Sequence, residues 1–161
     1  MVDRDFQVDG VIETYPLQNP LALLHVALGE SDRYAKYMRD AIAEHGAPGP
    51  DNPYSIVFYF DELTCGNPLA LGHKRQIQAV YWATDQLGMR ALSDESCWFE
   101  VVACQQKEVK NFDGFMSDVM CVVLTAFYDP HGHDLRCGIQ FVLKGYGVFT
   151  MLTEVEMLIA D

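Results

Sequence analysis

The most strand-like run in the chain is Tyr54-Ser55-Ile56-Val57-Phe58-Tyr59-Phe60-Asp61-Glu62-Leu63, rich in β-branched and aromatic residues and preceded by Pro53. A continuous apolar run of this kind predicts a central strand buried on both faces. Residues 76–85 alternate, with Ile77, Ala79, Tyr81 and Ala83 set against Gln78, Val80, Trp82 and Thr84, and predict a second strand. Residues 98–104 (Trp-Phe-Glu-Val-Val-Ala-Cys) predict a third. The connections between the three are too short for parallel crossovers, so an antiparallel meander is expected.

Helical periodicity stands on either side of this block. Asn19-Pro20 opens a helix through Leu21-Ala22-Leu23-Leu24, with Asn19 as cap and Gly29 as the expected stop. Ser31 caps a second helix from Asp32 to about His45, closed by Gly46. Its buried stripe is Tyr34, Tyr37, Met38, Ala41 and Ile42. Residues 1–18 lack periodicity and look extended. Residues 112–128 form the clearest long helix, with Phe115, Met116, Val119, Met120, Val123, Leu124 and Phe127 as a wide stripe suited to packing on a sheet. Residues 138–143 and 148–157 read as further strands around the turn Lys144-Gly145-Tyr146-Gly147. The expected organisation is a helical lead-in and linker over 1–53 and an α/β (α+β) core over 54–161. A meander followed by a helix and more strand is the opening of a ribonuclease H-like core, an analogy of fold only.

Composition narrows the classes. The chain has 161 residues, 50% hydrophobic and 12% aromatic, enough for one globular core. Its formal net charge is -12. A free-standing nucleic-acid binder usually carries a basic face, so contact with DNA would need metal ions or further segments. The charge also opposes binding to anionic membranes. The five cysteines include no Cys-x-x-Cys pair, and no signal pattern opens the chain. An intracellular protein with reduced thiols is expected.

Asp61 and Glu62 carry the first candidate chemistry. A carboxylate where a buried strand surfaces is a rigid place for a metal ligand or an acid–base group; it is equally where a strand meets water. Glu62, next on the strand, points to the opposite face and is the poorer ligand. His131, His133, Asp134 and Cys137 match no closed zinc motif, and a solvated loop is the simpler reading. Cys65 and His73 have no visible orienting group. Cys97, Cys104 and Cys121 lie in apolar runs and read as inert core, as do Trp82 and Trp98. Glu154 and Glu156 share a strand face that reads as wet. The word Asn-Pro-Leu-Ala-Leu occurs at 19–23 and 67–71, with no similarity on either side, and is treated as chance.

The run Tyr59-Phe60-Asp61-Glu62-Leu63-Thr64-Cys65-Gly66-Asn67-Pro68-Leu69 resembles a Y-x-D-E-x-T-x-G-N-P-L pattern. That pattern belongs to a large, poorly characterised family of mobile-element-derived proteins of unicellular eukaryotes. Similar words recur in order at 19–25, 78–82, 91–99 and 158–161, so the resemblance covers most of the chain from Asn19 onward. That family is in turn similar to transposases with a ribonuclease H-like core and a triad of acids. The resemblance implies that Asp61 is the first acid and Asp161 the second. The third acid and a cysteine segment would lie beyond residue 161, so this reading makes the chain a front half, inactive alone. The chemistry implied is Mg²⁺- or Mn²⁺-dependent phosphodiester cleavage or strand transfer, in which two metals about 4 Å apart stabilise the attacking and leaving oxygens. A nuclear location is the matching expectation. The alternative function is a non-catalytic module of the same ancestry that binds a partner protein.

Overall fold

The computed structural model describes residues 2–8, 11–64, 76–129, 132 and 134–160. Strands β1 (Val2–Val8) and β2 (Val11–Leu17) form an antiparallel hairpin over the stretch that looked extended. Helices α1 (Pro20–Glu30) and α2 (Asp32–His45) follow, then strands β3 (Tyr54–Thr64) and β4 (Gln76–Thr84). A short helix α3 (Gly88–Leu92) leads to β5 (Phe99–Gln105). A second short helix, α4 (Gln106–Val109), precedes the longer α5 (Met116–Phe127). The chain continues through β6 (Ile139–Leu143), β7 (Gly147–Met151) and β8 (Thr153–Ala160).

The main sheet has four strands in the order β5-β4-β3-β8. β3, β4 and β5 are the expected antiparallel meander, with Phe58 opposite Trp82 and Val80 opposite Val102. β8 joins the other edge of β3 and runs parallel to it, from Tyr54 beside Thr153 to Phe60 beside Ala160. The architecture is therefore mixed α+β around a mixed sheet.

One face of this sheet carries the core. Phe58, Trp82 and Phe127 meet edge to face: Phe127 stands 5.2 Å from Phe58 at 85° and 5.0 Å from Trp82 at 88°. T-shaped contacts of this kind set the positive ring edge against the negative ring face. Leu24, Leu28, Met38 and Tyr34 from the helical pair belong to the same buried cluster as Ile56, Phe58 and Val80. Helices and sheet thus share one core. The β6–β7 turn docks on the helical pair, where Lys144 pairs with Asp32 at 2.9 Å and the Lys144 carbonyl accepts from the Arg39 guanidinium.

Local signals explain most boundaries. Asn19 Oδ1 accepts from the Leu21 and Ala22 amides, and Ser31 Oγ accepts from the Tyr34 amide. Gly46 closes α2 at φ 85°, a left-handed conformation natural to glycine. Gly29 does not stop α1, which runs on to Glu30. Ser31, in extended backbone, closes α1 and opens α2. The long helix starts later than its periodicity suggests. Phe112 is buried before it, the Asp118 carboxylate accepts from the Gly114 amide, and Phe115 turns outward and is exposed. Phe115 is therefore not part of the buried stripe. The single strand expected over 148–157 is two. The chain changes partner at Leu152, leaving β6 for β3, and its carbonyl accepts from the Tyr54 amide at 2.9 Å. Apolar periodicity runs straight through such a change and cannot mark it.

Tyr54 ties this junction to the helices: its ring is buried and its hydroxyl donates to the Gly46 carbonyl at 2.7 Å. Burial, with the Tyr146 phenol nearby, pushes the Tyr54 phenol up to about 12. An unfolded phenol ionises near ~10. The folded state therefore keeps the full contribution below pH ~10 and loses it as pH rises through the folded value. Urea unfolding between pH 8 and 11.5 should show stability falling above pH ~10. Tyr54→Phe should flatten part of that fall; an identical pH profile for the variant would contradict the assignment.

Candidate functional site

β3 presents two chemically different faces at its exposed end. Its even-numbered residues Ile56 and Phe58 point into the core, and alternation carries Glu62 to that side. There Glu62 lies beyond the apolar part and gathers a ring of amides. Its carboxylate accepts from Gln78 Nε2 at 2.9 Å, from Gln106 Nε2 at 3.0 Å and from Gln76 Nε2. These donors come from β4 and α4, so Glu62 fastens the meander at one end. A carboxylate with three donors already seated offers little to a cation.

Asp61 points the other way. Val57, Ala79 and Ala83 are buried but stand outside the main core cluster, on this second face. Beyond them Tyr59, Asp61 and Leu63 of β3, Tyr81 of β4, and Glu95 and Trp98 of the β4–β5 connection line a recess of about 610 Å³. Tyr59 stands 6.5 Å from Tyr81 and 6.1 Å from Trp98, the second pair inclined at 65°. The wall is braced from outside: Trp98 Nε1 donates to the Leu92 carbonyl at 2.9 Å, and Asp94 caps the turn carrying Glu95. Asp94 also pairs with Arg33 at 2.6 Å. The Ser96 hydroxyl, with the Ser96 amide and Arg33, holds the Asp94 carboxyl below the usual carboxylate range. Burial first, then the charges of Glu100 and Asp61, raise the Tyr81 phenol above its ordinary value, so Tyr81 is a neutral hydroxyl near pH 7. No described residue makes a hydrogen bond or ion pair to the Asp61 carboxylate.

Asp161, the second expected acid, lies outside the described residues. The last pair of the β3–β8 register is Phe60 beside Ala160, one residue before each acid in sequence. Cys65, His73, His131 and His133 also lie outside the described residues. Asp134 is engaged by its own loop, accepting from the Arg136 amide at 2.8 Å and pairing with its guanidinium at 2.6 Å. Cys137 is exposed. Cys97 and Cys104 are buried as expected, but Cys121 is exposed, because it falls on the outer side of α5. Trp82 is fully buried, whereas Trp98 is only half-buried and faces the recess instead of the core. Glu154 and Glu156 are exposed. Among the described residues no group of three His, Cys, Asp or Glu side chains is placed to hold a metal, and no helix is long and apolar enough to cross a membrane.

The recess was missed in the sequence because it is assembled from β3, β4 and the β4–β5 connection. The signal for it is three aromatics on separate predicted strands, Tyr59, Tyr81 and Trp98, of which Trp98 reads as core. Comparison of the chain with protein-family models, curated proteins and solved structures finds no match.

The two neighbouring carboxylates should differ in what they do for stability. Asp61→Asn should change the unfolding free energy by less than about 0.5 kcal/mol. Glu62→Ala, which removes three exposed hydrogen bonds that tie β3 to β4 and α4, should cost about 1 kcal/mol. Urea titration of the two variants checks the contrast, and equal losses would contradict it.

Proposed function

We propose that this chain is a ribonuclease H-like core of mobile-element ancestry, in which Asp61 and Asp161 hold Mg²⁺ or Mn²⁺ for phosphodiester chemistry. The observation that carries the reading is the strand order: a three-stranded antiparallel meander, then α5, then, after the separate β6–β7 hairpin, a strand returning parallel to the first at its outer edge. In such a core the first acid ends the central strand and the second ends the returning strand. The pairing of β3 with β8 runs up to the residue before each acid, which favours the reading, although β3 itself continues past Asp61 to Thr64 along β4. Asp61 suits a hard cation, being a carboxylate on a rigid strand with no hydrogen bond or ion pair from a described residue. Glu62 does not, with its oxygens committed to three glutamines. A bound divalent ion would supply Lewis-acid stabilisation of phosphoryl oxygens. DNA would reach so acidic a chain only with metal present or through further segments. A nuclear location fits this ancestry.

A second reading is a non-catalytic interaction module on the same scaffold. It is favoured by the recess beside Asp61, which is walled by aromatic rings and lined by no Lys, Arg or His among the described residues.

Mg²⁺ or Mn²⁺ at millimolar concentration should raise the melting temperature by a degree or two, through the free-ligand term of binding to the native state. Asp61→Asn and Asp161→Asn should each abolish the gain, while Glu62→Gln should keep it. A metal-induced shift that survives both aspartate substitutions, or no shift at all, would overturn the metal reading.

A further inference from the structure

The recess on the second face of the sheet has a composition that suits one kind of guest. The Tyr59 ring stands 6.5 Å from Tyr81 and 6.1 Å from Trp98, and the Tyr59–Trp98 pair forms two steeply inclined walls. Asp61 and Glu95 line the same space, and Glu100 is the register partner of Tyr81 on β5. Ring faces carry negative quadrupoles, and a cation within about 6 Å of a ring centroid is attracted to them. Carboxylates beside the rings add a net charge of the same sign. Each feature alone is ordinary; together they oppose an anion and favour an organic cation.

We infer that this recess binds the ammonium head of a lysine side chain, bare or methylated, presented by a basic segment of a partner protein. The proposal rests on the interaction-module reading and names its partner chemistry. A segment is preferred to a small free cation because the cavity, at about 610 Å³, is far larger than an ammonium head and is bordered by Leu63, which can take an aliphatic stem. The net charge of -12 steers such a segment towards the surface. The same charge disfavours the other guest that stacks on aromatic rings, a single-stranded nucleic acid, because its phosphates would enter beside Asp61 and Glu95 with no cation among the described lining residues.

The test is a titration in EDTA, so that no metal takes part, following the fluorescence of Trp98 and, in parallel, heat of binding. The ligands are a Lys-rich peptide, the same peptide with trimethyllysine at its central position, its counterpart with Ser for every Lys, tetramethylammonium alone, and oligo-dT. The expected result is saturable binding of a lysine peptide, bare or trimethylated, at least tenfold tighter than tetramethylammonium and than the Ser counterpart. Trp98→Ala and Tyr59→Leu, which keep the charge, should each weaken it tenfold or more. Trp98→Phe should restore binding by the heat readout and report on folding. Equal binding of the Ser counterpart would overturn the ammonium inference and leave the interaction reading standing. Saturable binding of oligo-dT lost in Trp98→Ala would replace the inference with a nucleic-acid site. Lysine-peptide binding unchanged by Trp98→Ala and Tyr59→Leu would assign the attraction to diffuse charge and overturn the site. No binding of any ligand would overturn both.

Discussion

β3 is paired on both edges, antiparallel to β4 and parallel to β8, and its inward side chains seat the edge-to-face cluster of Phe58, Trp82 and Phe127. That constraint reaches every other layer. α5 is placed by Phe127, and the helical pair α1–α2 closes over the same cluster through Leu24, Leu28 and Met38. Interior packing leaves few alternatives once these rings are fixed. Because β3 cannot rotate about its axis, the alternation of its side chains is fixed too, and Asp61 and Glu62 are committed to opposite faces.

That commitment gives two adjacent carboxylates different surroundings. Glu62 is consumed by three glutamines and secures the meander. Asp61 opens into a recess whose other walls come from Tyr81, Glu95 and Trp98. A fold that needed both carboxylates for stability would leave neither for a ligand; here one is held and one is presented. Under the two proposals the same aspartate would meet either a divalent ion or a cationic side chain. Both guests carry positive charge, so they would compete.

Much of the architecture was legible in local patterns. The caps at Asn19 and Ser31, the helix stop at Gly46, the Tyr34–Met38–Ile42 stripe and the alternation over 76–85 all carry their structure within a few residues. What escaped was set by distant partners. The break at Leu152 reflects a change of neighbouring strand, and the outward turn of Phe115 reflects the Asp118–Gly114 bond. Trp98 reads as core in the sequence because an aromatic on a strand usually is. Its position just before β5 turns it towards the recess, and only the register of three strands shows that. That Asp61 and Asp161 act together is an expectation from the resemblance alone, which no periodicity contains.

The central claim is that a divalent ion has one home on this acidic chain, at the outer end of β3 beside β8. Paramagnetic Mn²⁺ added to ¹⁵N-labelled protein tests it most directly, because the ion broadens amide signals only in its neighbourhood. The account predicts that substoichiometric Mn²⁺ first removes the signals of residues 59–63 and 157–160, and that Asp61→Asn abolishes this selectivity. Broadening that begins elsewhere, at exposed acids such as Asp40, Glu44 or Glu154, or that spreads evenly over the surface, would contradict it.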